Sequence, residues 1–199
     1  RSGVTVHCGT ELTAEQAAAL QADVIIMAVG AKPVVPPIPG IDGPNVVGLD
    51  ALHQAPPALG QKVVILGGGL VGTEMSVYLG MKGHQCTILE MAPELNCGGN
   101  ILQANALRLQ YPKYGIQIHT STRAVEINEK GVVGEKDGVK QLFEADTVVT
   151  AMGMRPLRDE ALALRLCAPE FHLVGDCNVP KSIREANWAG YQAALDIGM

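Results

Sequence analysis

Gly67, Gly69 and Gly72 follow the apolar run Lys62-Val63-Val64-Ile65-Leu66, and a segment of helix formers follows them. Glu90 stands about 20 residues further on, the interval at which a ribose-binding acid is expected after a glycine-rich turn. Together these residues make a dinucleotide-binding fingerprint, Gly67-x-Gly69-x-x-Gly72, with Gly68 inside it. Gly67 allows a tight turn off the strand. Gly69 lets the backbone approach a pyrophosphate, and Gly72 lets the helix pack closely on the strand. The pyrophosphate would meet free amides at a helix N-terminus, where the dipole presents roughly half a positive charge. A carboxylate at Glu90 accepts hydrogen bonds from both ribose hydroxyls and repels a 2′-phosphate. The turn Met91-Ala92-Pro93-Glu94-Leu95 offers no arginine to neutralise one, so the reading is NAD(H) over NADP(H). A solvated strand-end carboxylate is the plainer alternative for Glu90.

Positioning these residues requires a strand, a helix over about residues 70–82 capped by Gly83, and a second strand at 85–90. A further helix at 101–110 stops before Pro112, and 115–119 resumes a parallel sheet. Three short strands follow at 124–128, 131–135 and 139–143, with Asp137-Gly138 as a hairpin turn between the last two. A strand at 146–150 closes the unit. Upstream, a strand at 4–7, a helix opened by the capping box Thr13-Ala14-Glu15-Gln16 and a strand at 23–29 are expected. The proline-rich stretch from Pro33 to Gly40 reads as an extended connection, with Ala55-Pro56-Pro57 completing the crossing. Downstream, a strand at 171–174 ends in Gly175-Asp176. A last helix at 182–197 carries Ala186, Ala189, Ala193 and Ala194 on a closely packed face. The fold class is therefore α/β, with three segments: 1–59, 60–150 and 151–199.

One phrase occurs twice. Asp23 to Pro33 and Asp146 to Pro156 each read as an acidic residue, an apolar strand, Ala-x-Gly, two residues and a proline. The glycines are Gly30 and Gly153, the latter preceded by Met152. Such a strand end brings backbone close to a nucleotide and then redirects the chain.

Composition excludes several classes. The 199 residues are 47% hydrophobic and only 4% aromatic, with a net charge of −5 and scattered basic residues, which argues against nucleic acid as a partner. No apolar run reaches the ~18 residues of a membrane span. The five cysteines, Cys8, Cys86, Cys97, Cys167 and Cys177, form no Cys-x-x-Cys pair and no metal set, as expected of reduced cytoplasmic thiols. Cys177, which follows Gly175-Asp176, reads as a small buried residue. His53, His84, His119 and His172 lie in loop or strand settings without an evident carboxylate partner, which disfavours a freestanding dehydrogenase. A chain that begins at Arg1 and runs almost directly into a strand reads as part of a longer polypeptide.

Over nearly its whole length the chain resembles flavoproteins of the pyridine nucleotide-disulfide reductase type with two dinucleotide-binding domains. More closely, it resembles the C-terminal region of the 2,4-dienoyl-CoA reductase, trimethylamine dehydrogenase and enoate reductase family, NADH:flavin oxidoreductases related to old yellow enzyme. Residues 3–6, Ala-Val-Gly30, Ile38-Pro39-Gly40, the stretch 67–74, Ala-Met-Gly153 and Val174-Gly175-Asp176 carry the likeness. It implies a Rossmann-like FAD/NAD(P)-binding fold with a parallel sheet, helices and an antiparallel meander. A partial FAD-binding domain (1–59 and 151–199) would flank an NAD(H)-binding domain (60–150).

By position, Gly67, Gly69, Leu70, Val71 and Gly72 would hold the NADH pyrophosphate, Glu90 the adenosine ribose, and Met152 and Gly153 the nicotinamide half. Glu74 matches an acidic position near the nicotinamide; a solvated first-turn carboxylate is its other reading. Asp176 matches an aspartate that bonds the flavin ribityl chain or pyrophosphate; a turn and N-cap is its other reading. No catalytic side chain and no metal ligand is nominated. The first glycine motif of the flavin domain is absent, so an FAD site is incomplete within these residues, and FMN and an iron-sulfur cluster would lie upstream, outside the chain. The expected partners are NADH, FAD and upstream domains of the same polypeptide, with a second copy of the chain as a further candidate. The expected function is the NADH-accepting, electron-entry part of a larger flavin-dependent oxidoreductase, inactive by itself. The alternative is a non-catalytic ADP-binding structural domain.

Overall fold

The computed structural model describes residues 3–54, 58–96 and 101–198. In chain order they form α1 (Ala14–Ala19), β1 (Val24–Met27), β2 (Ala31–Pro33), β3 (Val46–Gly48), α2 (Leu49–Gln54) and β4 (Lys62–Leu66). Then come α3 (Leu70–Met81), β5 (Gln85–Leu89), α4 (Ile101–Lys113), β6 (Gln117–His119), β7 (Arg123–Asn128), β8 (Gly131–Lys136) and β9 (Val139–Glu144). β10 (Thr147–Thr150), β11 (Met154–Pro156), α5 (Arg158–Leu162), β12 (Glu170–Leu173), a 3-10 turn (Gly175–Cys177) and α6 (Ile183–Asp196) complete the chain. The chain divides into two compact units, one of Arg1–Lys32 with Met154–Met199 and one of Pro33–Gly153.

The unit of residues 33–153 is built on a parallel sheet in the order β3-β10-β4-β5-β6. β4 lies at its centre and is buried on both faces, which is why its sequence is a continuous apolar run without alternation. Val63 and Ile65 face a core completed by α3 and α4, including Met75, Leu79, Leu107 and Tyr111. Val64 and Leu66 face a second core with Ile127, Val132 and Phe143 of the antiparallel meander β7-β8-β9. Asp137 and Gly138, both at positive φ (51° and 77°), form the hairpin turn that the Asp-Gly pair predicts.

Two local expectations change here. α4 continues through Pro112 to Lys113. Proline costs only one intrahelical bond at the end of a helix. The end is held by Gly115 (φ 63°), with Ile116 N–H donating to Tyr111 O at 2.9 Å, a Schellman closure whose outer residues are both buried in the core. The second change concerns β3, which pairs with β10 and carries the large sheet back to residue 46, well before the boundary expected near residue 59. Residues 38–45 also belong to this unit: Ile127 N–H donates to Pro39 O at 2.8 Å and Asn45 Nδ2 to Asn128 O at 3.0 Å.

The unit of residues 1–32 and 154–199 has a smaller frame. β1 and β12 pair in parallel, with Val24 opposite Glu170. The capping box forms as expected, Thr13 receiving the Gln16 N–H and Gln16 receiving that of Thr13. The strand expected at 4–7 does not form. Val4 and Val6 are exposed, and among the described residues nothing pairs with them to satisfy a ladder. On α6, Ala193 is buried and Ala186 and Ala189 are half-buried, but Ala194 is exposed, so the packed face is one alanine narrower than expected. α2 and α5 form in addition to the expected helices. Ala55-Pro56-Pro57 and Cys97 lie outside the described residues.

The repeated phrase is a repeated structure. β1 and β10 each begin one residue after the acidic residue, and β2 and β11 each begin directly after Gly30 (φ 78°) and Gly153 (φ 93°). β2 and β11 pair with each other. Val34 N–H donates to Gly153 O at 2.9 Å, and its counterpart Leu157 N–H donates to Gly30 O at 3.0 Å.

Candidate functional site

The carboxyl ends of β4, β5 and β10 lie level with one another: Gly67 N–H donates to Leu89 O at 2.9 Å and Ala151 N–H to Leu66 O at 2.8 Å. Ligands in open α/β sheets bind beyond such ends. Here a cleft of about 780 Å³ opens within the unit of residues 33–153, and Gly67, Gly69, Glu90, Met152 and Gly153 line it.

The glycines of the fingerprint divide by what forbids a side chain. Gly67 has φ 111°, and a Cβ there would sit 2.3 Å from Ala151 O. A Cβ on Gly72 would meet Gly67 O at 2.0 Å, so this glycine brings α3 against the turn. A Cβ on Gly68 would strike Leu95 at 2.4 Å and Glu90 Cβ at 3.0 Å. Gly69 differs: its nearest neighbour would be Asn96 O at 3.8 Å, ordinary contact. Among the described residues nothing requires glycine at 69, and none of them occupies the space its side chain would enter.

Gly69 is also the N-cap of α3 and supplies no capping side chain. The first N–H groups of a helix have no intrahelical partner, so the amides of Leu70, Val71 and Gly72 are left for water or a ligand. No acidic residue occupies the first turn. That corrects one reading of Glu74, which lies beyond that turn, is exposed, and accepts a hydrogen bond from Gln103 Nε2 of α4. Glu74 does not line the cleft.

Glu90 is half-buried and both its oxygens are engaged, Oε2 with Gly68 N–H at 2.6 Å and Oε1 with Ala92 N–H at 2.7 Å. The carboxylate thus ties the glycine turn to the turn after β5. Each carboxylate oxygen has a second lone-pair site, which leaves acceptor capacity for a ribose. Residues 91–96 fold beside the glycines, with Asn96 N–H donating to Gly68 O at 3.0 Å.

The far wall was not anticipated. Thr122 N–H donates to Glu90 O at 2.8 Å and Ser121 N–H to Ala92 O at 2.9 Å, so the start of β7 is stitched to the end of β5. Arg123, Glu135 and Lys140 line the same cleft. The turn at residues 91–95 carries no arginine, and the meander supplies two cations from further along the chain. No local signal marked them.

In the other unit, Gly30 and Gly175 (φ 65°) follow the ends of β1 and β12. Among the described residues a Cβ on Gly30 would meet nothing within 4 Å, and one on Gly175 only Ala186 Cβ at 3.7 Å, so these residues leave the backbone open to close approach at both strand ends. Asp176 Oδ1 accepts the Lys181 N–H at 3.2 Å, which favours its turn role, and it has no helix-capping contact with α6. Cys177 is buried, as expected, with Sγ 3.1 Å from Met27 O and 3.2 Å from Val174 O. His172 has the carboxylate partner that the sequence did not reveal, Glu170 at 2.6 Å, and this contact holds the Glu170 carboxyl below its usual range. Among the described residues no helix is long and apolar enough to cross a membrane.

Residues 2–193 match the pyridine nucleotide-disulphide oxidoreductase family. The chain is 32% identical over 99% of its length to the NADH oxidase of Thermoanaerobacter brockii, and 29% identical over 98% to the cinnamate reductase of Clostridium sporogenes. It spans only 31% and 30% of those proteins. A solved 2-naphthoyl-CoA reductase superposes with a TM-score of 0.86 at 32% identity, covering 98% of this chain and 30% of that one. The fingerprint, the parallel sheet with its meander and the match over almost the whole sequence converge on one assignment. The chain belongs to the pyridine nucleotide-disulphide oxidoreductase family, flavoproteins with a Rossmann-like fold that binds FAD and NAD(P)H.

Proposed function

We propose that this chain is the NADH-accepting, electron-entry part of a larger flavin-dependent oxidoreductase of the NADH:flavin oxidoreductase, 2,4-dienoyl-CoA reductase and trimethylamine dehydrogenase type. The observation that carries this is the open space at Gly69, beside an uncapped helix N-terminus and a ribose-type carboxylate in one cleft. Gly67, Gly69 and the amides of Leu70, Val71 and Gly72 hold the pyrophosphate. Glu90 accepts from the adenosine ribose, while Met152 and Gly153 border the nicotinamide half. Gly30, Gly175 and Asp176, at the carboxyl ends of paired parallel strands, fit the approach of an FAD. FAD, when bound, is the hydride acceptor for the reduced nicotinamide. That transfer needs no side-chain acid or base, and the chain's residues contribute position and exclusion of water. The likeness to an NADH oxidase and to reductases of cinnamate and 2-naphthoyl-CoA supports the finer family placement.

Calorimetric titration of the chain with NADH and ADP tests the reading. NADH binding more tightly than ADP is the expected result. Equal affinities would mean that the nicotinamide is not recognised, and a structural ADP-binding role would replace electron entry.

A further inference from the structure

Arg123, Glu135 and Lys140 form one row across the meander. Arg123 is the register partner of Glu135, and Glu135 of Lys140. Register partners share a face of a sheet, and all three residues line the cleft that contains Gly69 and Glu90. The row begins one residue after Thr122, whose N–H is bonded to the Glu90 carbonyl. It therefore stands on the ribose side of the proposed dinucleotide site.

The row carries two cations with one carboxylate between them. Arg123 and Lys140 are the cations among the residues lining the cleft. The Arg123 side chain is 67% exposed, and its guanidinium lies 3.6 Å from Glu135, an ion-pair distance beyond hydrogen-bond range. Among the described residues no carboxylate forms an ion pair with Lys140. Glu90, the group expected to repel a phosphate, has each oxygen already facing a backbone N–H. A guanidinium fork and an ammonium on one wall form a donor set suited to a phosphomonoester dianion.

We propose that Arg123 and Lys140 recognise a phosphate on the 2′ position of the adenosine ribose, so that the site admits NADPH as well as NADH. This rests on the dinucleotide reading of the cleft. Glu90 and the cationic row then act in opposite directions on selectivity, and the nucleotide preference is set by both walls.

The test uses the 199-residue chain and four probes: 5′-AMP, 2′,5′-ADP, 3′,5′-ADP and NADH. In the wild type, 2′,5′-ADP should bind about tenfold or more tighter than 5′-AMP, the scale of a charge-assisted hydrogen bond. Arg123→Gln and Lys140→Gln should each erase most of that advantage and leave 5′-AMP and NADH within about twofold. Both side chains are on the surface of the meander, and a circular dichroism spectrum matching the wild type shows that each variant is folded. The proposal is overturned if 2′,5′-ADP has no advantage over 5′-AMP, or if 3′,5′-ADP has the same advantage, which would mean unspecific attraction. Equal weakening of all probes by Arg123→Gln would also overturn it. If NADH binds and the 2′-phosphate adds nothing, only this proposal fails; if no adenine nucleotide binds, the dinucleotide reading fails with it.

Discussion

The two units begin from the same local phrase and reach different degrees of burial. In residues 33–153 the strand that leads to Gly153 lies in a five-stranded sheet covered by helices on one face and the meander on the other. In the other unit, the strand that leads to Gly30 pairs, among the described residues, with β12 alone, and Trp188, Tyr191 and Leu195 of α6 remain more than half exposed. Parallel strands are stable when both faces are covered. Burial here follows from what packs on the phrase, and the phrase itself determines only the strand, the turn and the open glycine.

Core truncation should break the symmetry most strongly. Ile65→Ala, at a fully buried site, should cost about 2–5 kcal/mol in urea unfolding, while Val174→Ala in the smaller unit should cost about 1.5 kcal/mol. Equal costs would mean that the two cores are comparable. Within the larger unit, Gly72→Val and Gly69→Val separate packing from binding. The Gly72 variant drives a side chain into Gly67 O and should lose stability by more than about 3 kcal/mol. The Gly69 variant should stay within about 0.5 kcal/mol of the wild type yet lose NADH binding in the same titration. Normal binding by the Gly69 variant would end the fingerprint reading.

Glu90→Ala should weaken NADH by about 1–3 kcal/mol and shift the NADH-to-NADPH affinity ratio toward NADPH; an unchanged ratio would remove Glu90 from the ribose site. Thiol labelling sharpens the contrast between units. Burial pushes the Cys86 thiol up to about 12, so it should react only on opening of the larger unit. Cys177, equally buried but in the smaller unit, should label at lower urea. Reversed order, read by mass spectrometry, would contradict the ranking.

The smallest effect concerns pH. Burial, with Lys136 second, holds His119 below its ordinary value of 6.5. The unfolded chain therefore binds that proton more readily, and stability should fall as pH drops below 6.5 toward the lowered folded value. His119→Gln should flatten this slope in urea melts at successive pH values.

The sequence alone determined whatever depends on neighbours along the chain: the glycine turn after an apolar strand, the capping box at Thr13, the Asp137-Gly138 hairpin, the twin strand-Ala-x-Gly phrase and Glu90 at the end of β5. Each is set by local backbone sterics, hydrogen-bond capping or strand periodicity. Helix α4 continuing past Pro112 was not legible, because the Tyr111–Ile116 core contact that holds its end is tertiary. Nor was β3, whose three residues gain a partner only by pairing with β10, about a hundred residues later by register. The cleft divides along the same line. Its glycine and carboxylate wall is contiguous in one βαβ unit, and the sequence fixes it. Its cationic wall exists only because the meander folds back onto the end of β5, and charges carried there by strand register leave no trace in the spacing of the residues that they face.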